Sequence, residues 1–289
     1  MGITSPNIDT SLLWHLTGLF VVLALLYFGF VFFFRNQLSK RFYKKNAKRA
    51  ELAPVISNFL FHSTDDPKEE QKQYVNLKIE IREYLGDAGF RKILADILFD
   101  LQRDVAGATL DRLFRLFKEL ELHHDCFKKL NSWRWEVVAS GISELSQMKV
   151  VESFHLIGKF INDSRTTVRK QAEIAIVSLK PEGINFLLDT TNYSISEWQQ
   201  LKLIEAMGNL NDFIPPKFKG WLLSHNTDVV LFALRLIKHY NQNEAMPAIT
   251  ELIKHKNNEV KLAAISCIRD FHFVKAVPKV KRVFRHCSS

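Results

Sequence analysis

Residues 12–34 read LLWHLTGLFVVLALLYFGFVFFF, twenty-three residues without an Asp, Glu, Lys or Arg. No other feature restricts the fold so much, because a run this apolar must be hidden from water by protein or by lipid. As an α-helix it extends about 34 Å, enough for a hydrocarbon core of about 30 Å with slight tilt. Trp14 stands near one end and Arg35 closes the other, as at membrane interfaces. A cleaved signal peptide would want basic residues before a shorter apolar run and a small-residue cleavage site after it. Residues 1–11 hold no Lys or Arg, and their one charged side chain is Asp9. A globular core helix would carry a polar stripe, and this run is apolar all round. The sequence therefore predicts a transmembrane helix over 12–34.

Seven basic residues follow it without an acid: Arg35, Lys40, Arg41, Lys44, Lys45, Lys48 and Arg49. The positive-inside rule then places residues 1–11 as a short extracytoplasmic N-terminus and everything from residue 35 in the cytoplasm. The expected location is the plasma (inner) membrane, crossed once. The basic juxtamembrane segment, 35–50, has two readings that the sequence leaves open. It lies on anionic headgroups with Phe42 and Tyr43 in the interface, or it is a topology signal alone.

The formal charge of +9 is carried by the two ends of the chain. Residues 35–49 contribute +7 and residues 273–289 contribute +5, which leaves about neutral charge (−2) over 50–272. Overall basicity is thus no argument for nucleic-acid binding. Cys126, Cys267 and Cys287 are odd in number and form no C-x-x-C pair, which fits free thiols better than a disulfide framework.

Beyond the anchor the pattern is helical. Residues 51–62 form a short helix or the tail of the membrane helix. Ser63-Thr-Asp-Asp66-Pro67 followed by Glu69 and Glu70 is a helix start, with Asp66 capping, Pro67 at the first position and acids at the positive end of the dipole. That helix runs to about Leu85. Another spans about Asp87 to Arg103, and Leu110, Leu113, Phe114, Phe117 and Leu120 line one face of the next. From Trp135 the chain repeats. Trp135, Val168, Trp198, Val229 and Val260 are 30–33 residues apart, and four residues later stand Ala139, Ala172, Lys202, Ala233 and Ala264. Shorter apolar helices at 150–161, 181–189, 215–223, 244–254 and 273–284 lie between. Each unit of about 31 residues is an antiparallel helix pair that buries its apolar stripe only by stacking on a neighbour. Trp135 and Trp198, on anchor positions, read as core in preference to a binding platform.

The unit Asp163-Ser-Arg-Thr-Thr-Val168-Arg169-Lys-Gln-Ala172-Glu-Ile-Ala175-Ile-Val-Ser-Leu179 resembles the second helix of a HEAT repeat, with its Asp, Val-Arg, Ala and Leu. Asn258-Glu259-Val260-Lys261-Leu262-Ala263-Ala264 resembles it less fully, and Lys202 departs from the pattern. The period is similar to that of the compact bacterial form. The resemblance covers 133–285, with 133–289 read as HEAT-like repeats and 51–132 as a helical region of degenerate repeats. It implies an all-α fold, an α-solenoid that binds a partner protein along its concave face. Leu113 through Trp135 is similar to membrane-tethered bacterial HEAT proteins. That likeness implies a membrane enzyme such as a glycosyltransferase as the partner.

Residue types that do chemistry are sparse. His123-His124-Asp125-Cys126 is the one cluster with metal-ligand residue types, but adjacent helical His side chains diverge by about 100° and no second cluster stands at zinc spacing. P-loop, G-x-S-x-G, H-E-x-x-H and G-x-G-x-x-G patterns are missing. The sequence thus predicts neither an enzyme nor a bound cofactor. Candidate partner-binding residues sit at fixed offsets on the second helices: Arg169, Gln199, Lys238, Lys261 and Arg269. The four basic ones could form a ladder facing an acidic or phosphorylated partner. The alternative is a solvated helix face. A nucleic-acid-binding helical-repeat protein is the second functional reading.

Overall fold

The computed structural model describes residues 10–61, 67–210 and 213–287. Every regular element among them is helical. The expected extracytoplasmic segment up to residue 9 and the Ser63–Asp66 helix start lie outside the described residues. So do the side chains of Leu12, Arg41, Phe42, Lys44, Pro67, Glu70 and the residues from 283 onward. The chain divides into two compact units, Met1–Thr109 and Leu110–Ser289.

In the first unit the apolar run does not end where its hydrophobicity does. Helix α1 spans Thr10–Phe61 without a break and passes through Pro54. At 52 residues it is about 78 Å long. Its first half exposes its side chains, Leu25 and Phe32 to 67% and 74%. Its last turns are different. Ile56 and Leu60 are buried with Tyr74, Leu77 and Ile81 of α2 (Pro67–Leu85) and Phe90, Leu94, Ile97 and Leu98 of α3 (Ala88–Asp104). The spacing of three and four along each helix gathers these side chains into one seam. Phe59 meets Tyr74 edge to face at 4.8 Å. Asp87 caps α3 by accepting from Gly89 N at 2.9 Å.

Two of the seven basic residues are used inside this bundle. Lys45 Nζ pairs with Asp96 at 2.6 Å, and Arg49 pairs with Asp100. Both helices contribute residues four apart, so the two bridges set the register of α1 on α3. Lys45 and Arg49 are therefore engaged by a protein helix. Sequence reading missed this because the acids lie fifty-one residues away. Arg35 and Lys40 stay exposed on α1, and Lys48 is half-buried.

The second unit is a stack of helix pairs. Its second helices are α4 (Ala108–Glu119), α6 (Trp135–Gln147), α8 (Thr166–Leu179), α10 (Glu197–Gly208), α11 (Thr227–His239) and α13 (Asn258–Asp270). Between them run α5 (His123–Leu130), α7 (Phe154–Gly158), α9 (Gly183–Thr190), a 3₁₀ segment Phe218–Leu223, and α12 (Met246–Glu251), with α14 (Val277–Cys287) last. The predicted first helices are thus present, but several are short and begin or end in 3₁₀ turns.

The repeat holds in a shifted register. The buried anchors are Val138, Val168, Gln199, Val229 and Val260, spaced alternately 30 and 31. Four residues on come Ile142, Ala172, Leu203, Ala233 and Ala264, and seven on come Leu145, Ala175, Ala206, Leu236 and Cys267, all buried. Trp135 and Trp198 lie three and one positions before the true anchors and are 49% and 68% exposed, against the expectation that they are core. The shift also explains Lys202, since Leu203 fills the position that Lys202 was expected to hold. Helix α4 also buries one face, through Leu113, Leu116 and Phe117.

Four of the six second helices end alike, those before Glu121, Lys149, Asn241 and His272. Glu121, Lys149, Asn241 and His272 take φ near +50°. The next amide reaches back to the helix, as in Val150 N to Leu145 O and Gln242 N to Ile237 O, both 3.0 Å. These are Schellman closures, which satisfy the last free carbonyls. Helix α8 lacks one because Pro181 follows, and Lys180 is extended instead.

Candidate partner-binding surface

The second helices present a groove of about 660 Å³ along α10, α11 and α13. Glu197, Asp228 and Glu259 stand along it. They are 31 residues apart, each in the first turn of its helix. Leu231, Leu234, Leu262 and Ala263 give it apolar walls, and Cys267 and Ser266 lie at its base. Arg235 and Lys238 also line it. Arg235 reaches Glu197 at 3.5 Å and Lys238 pairs with Asp270, so both cations already have acids beside them. Lys238 and Arg269 together hold the Asp270 carboxyl below its ordinary value.

The local chain explains why these acids recur. Each second helix opens with an uncapped end, and Ser196, Asn226 and Asn257 fill it by accepting from Gln199 N, Asp228 N and Glu259 N at 3.3, 3.0 and 2.7 Å. An acid one or two residues later then faces the positive end of the helix dipole. Stacking repeats the offset, so a local stability device becomes a row of carboxylates.

The five candidate residues have different surroundings, and the four basic ones do not share one face. Arg169 is buried, donates to Asp163 O at 2.7 Å and stacks on Tyr193 at 3.9 Å. Gln199 is buried on an anchor position and donates to Lys170 O and Glu173, both at 2.9 Å. These two are interior residues, because the arginine finds a carbonyl and the glutamine a carboxylate within the stack. Lys238 lines the groove. Lys261 bonds its own helix start at Asn258, 3.1 Å away, and Arg269 is exposed beside Asp270. The row of three acids was missed. Its signal was the 31-residue spacing of Glu197, Asp228 and Glu259.

Two further polar clusters are internal. Glu144 of α6 receives Lys129 Nζ at 2.5 Å, Ser140 Oγ at 2.7 Å and the Cys126 thiol at 3.2 Å. Burial and the Glu144 carboxylate push the Cys126 thiol far above its ordinary value, which disfavours the thiolate. Cys267 is pushed up to about 11 by burial. His123 and His124 stack at 4.3 Å, and burial lowers the His123 pKa. Among the described residues, no three His, Cys, Asp or Glu side chains are placed to share a metal ion.

Glu173 is 2% exposed and burial raises it to about 7, with Gln199 and Arg169 opposing that rise. It occupies a position where the other second helices carry Ser143, Ile204, Leu234 and Ile265. Glu173 and Gln199 thus form a polar pair at the one seam, between α8 and α10, where Gln replaces the anchor Val.

No family model and no curated protein matches the sequence. Among solved structures, an engineered protein from a structural genomics consortium is 16% identical over 66% of this chain and 83% of its own, with a TM-score of 0.27. A designed armadillo repeat protein is 17% identical over 75% of this chain and 99% of its own, and a second, in complex with a (KR)4 peptide, over 75% and 98%. Both have a TM-score of 0.24. The second unit is an all-helical repeat stack on the strength of its own register, with the anchors, small residues and helix ends described above.

Proposed function

We propose that this chain is a membrane-anchored scaffold whose repeats hold a partner protein at the cytoplasmic face of the plasma (inner) membrane. The observation that carries the reading is the first half of α1. It is the one helix among the described residues long and apolar enough to cross a membrane, and none of its most apolar stretch is buried inside the structure. Leaving that area in water costs about 25 cal/mol per Å². A bilayer removes the cost. Arg35 and Lys40 favour the orientation with residue 35 onward in the cytoplasm.

The groove along α10, α11 and α13 supports the second half of the proposal. It has apolar walls and charged edges, which suits a peptide or protein surface. We read the protein as a HEAT-like scaffold without catalytic chemistry or cofactor. Its partner is a membrane enzyme, with a glycosyltransferase as the specific candidate. The acidic row disfavours the nucleic-acid alternative, since phosphates would meet Glu197, Asp228 and Glu259.

The test has two parts. Alkaline extraction of membranes should leave the full chain in the pellet, and its release would remove the anchor from the proposal. A photo-crosslinker in place of Leu262, which is 66% exposed, should then trap one specific protein in intact membranes. That adduct should disappear in the Asp228→Lys/Glu259→Lys variant. Adducts that survive the charge reversal would exclude the groove as the binding surface.

A further inference from the structure

The first-helix layer of the last three repeats differs from the rest of the stack in charge. Residues 213–225, 243–256 and 272–282 hold eight Lys or Arg against Glu244 and Glu251, a net of +6. The partnering helices α10, α11 and α13 hold five of each sign and are neutral. The earlier first-layer segments, 122–131, 151–162 and 181–191, hold three basic residues and four acids. The positive charge is therefore confined to one layer at one end of the repeats. Helix capping does not require it, because it belongs to the shorter helices and turns.

The same layer carries isolated apolar side chains that the fold does not cover. Ile214, Leu223 and Val274 are 84%, 86% and 76% exposed. Leu223 borders an apolar notch of about 640 Å³ between the Phe218–Leu223 segment and α12. Leu222, Ala248 and Leu252 wall this notch, and Lys219 and Lys254 stand at its rim. One of the two acids is already neutralised, since Glu251 pairs with Lys279 at 2.6 Å.

Basic side chains around scattered, protruding apolar tips match the two layers of a lipid interface. Lysine heads meet anionic phosphate while their stems and the apolar tips enter the boundary with the acyl chains. A protein partner would favour an apolar patch spread across the interface, whereas here the apolar surface is one notch and single tips set among lysines. We propose that this layer is a second membrane contact, docking on anionic phospholipid through Lys219, Leu223, Lys254 and Lys275. The inference rests on the membrane anchoring proposed above, which keeps a bilayer within reach at high local concentration.

The experiment uses the full chain reconstituted into vesicles of phosphatidylcholine, with or without phosphatidylglycerol, containing a nitroxide-labelled lipid. A fluorophore is placed at Leu223→Cys in a Cys287→Ser background, because Cys126 and Cys267 are buried. A second preparation carries the label at Glu182→Cys, on an acidic first-layer segment. Quenching at 223 should be several-fold stronger in anionic than in neutral vesicles, fall with added salt, and be lost in Lys219→Glu/Lys254→Glu/Lys275→Glu. The label at 182 should show no such dependence. Equal quenching at 223 in both lipids, or equal responses at 223 and 182, overturns the docking. Flotation with neutral vesicles reads the anchor separately. A chain that fails to float there, yet is quenched at 223 by anionic vesicles, would refute the anchor and support the docking.

Discussion

Glu173 shows what a single residue does at a seam between repeats. Burial keeps its carboxyl protonated to about pH 7, whereas in the unfolded chain it ionises near the ordinary 4.5. Between those values the folded state binds more protons. Its stabilising share is complete below pH 4.5, declines as pH rises and is gone above 7. Denaturant titrations should show Glu173→Gln more stable than the parent at pH 8 by on the order of 1–3 kcal/mol, with little difference at pH 4. Gln199→Leu alone should destabilise by roughly 1–3 kcal/mol, because it strands that carboxyl without its donor. The double variant Glu173→Leu/Gln199→Val should recover the loss, and a failure to recover would mean that the pair is not isolated from its surroundings. Gly183 is a second sensitive point. A Cβ there would run into the carbonyl of Ile176, so α9 comes so close to α8 that only glycine fits. Gly183→Ala should cost roughly 1–3 kcal/mol in a chemical melt.

Helices in this chain are set by their ends as much as by their faces. Asn257 satisfies two amides at the start of α13, at 2.7 and 3.3 Å. Asn257→Ala should lower stability by about 1 kcal/mol while Asn257→Asp should not, as read by thermal unfolding. The helix boundaries were legible because such residues announce themselves locally: Ser196, Asn226 and Asn257 before starts, and Gly86 after an end. Anchor positions were legible where Val stands, at 168, 229 and 260. They were misread at Trp135 and Trp198, because a large aromatic next to a helix start imitates an anchor. Only burial distinguishes Trp198 from Gln199, since a Gln becomes acceptable in the interior once Glu173 and the Lys170 carbonyl take its amide hydrogens.

At the scale of the molecule, α1 joins two environments in one element. Its first half is apolar and exposed, and its last turns pack into a bundle with α2 and α3. An unbroken helix transmits orientation in a way that a flexible linker would not. Inserting Gly-Gly-Ser-Gly between Leu38 and Ser39 should leave membrane extraction unchanged and weaken the Leu262 cross-link, if that orientation serves partner binding. Equal cross-linking would show that tethering alone suffices. The groove itself is a product of stacking: three first-turn acids, unrelated within their own helices, converge because each repeat reproduces the last.

The sequence by itself determined the apolar run, its basic flank, the helical repeat and most helix ends, since each depends on neighbours within a few residues. The tertiary structure decided the register of the repeats, the burial of Arg169 and Gln199, and the pairing of Lys45 and Arg49 with Asp96 and Asp100. Those outcomes depend on which groups meet across tens of residues, and a charged or amide side chain enters the interior only when a partner there repays its lost hydration.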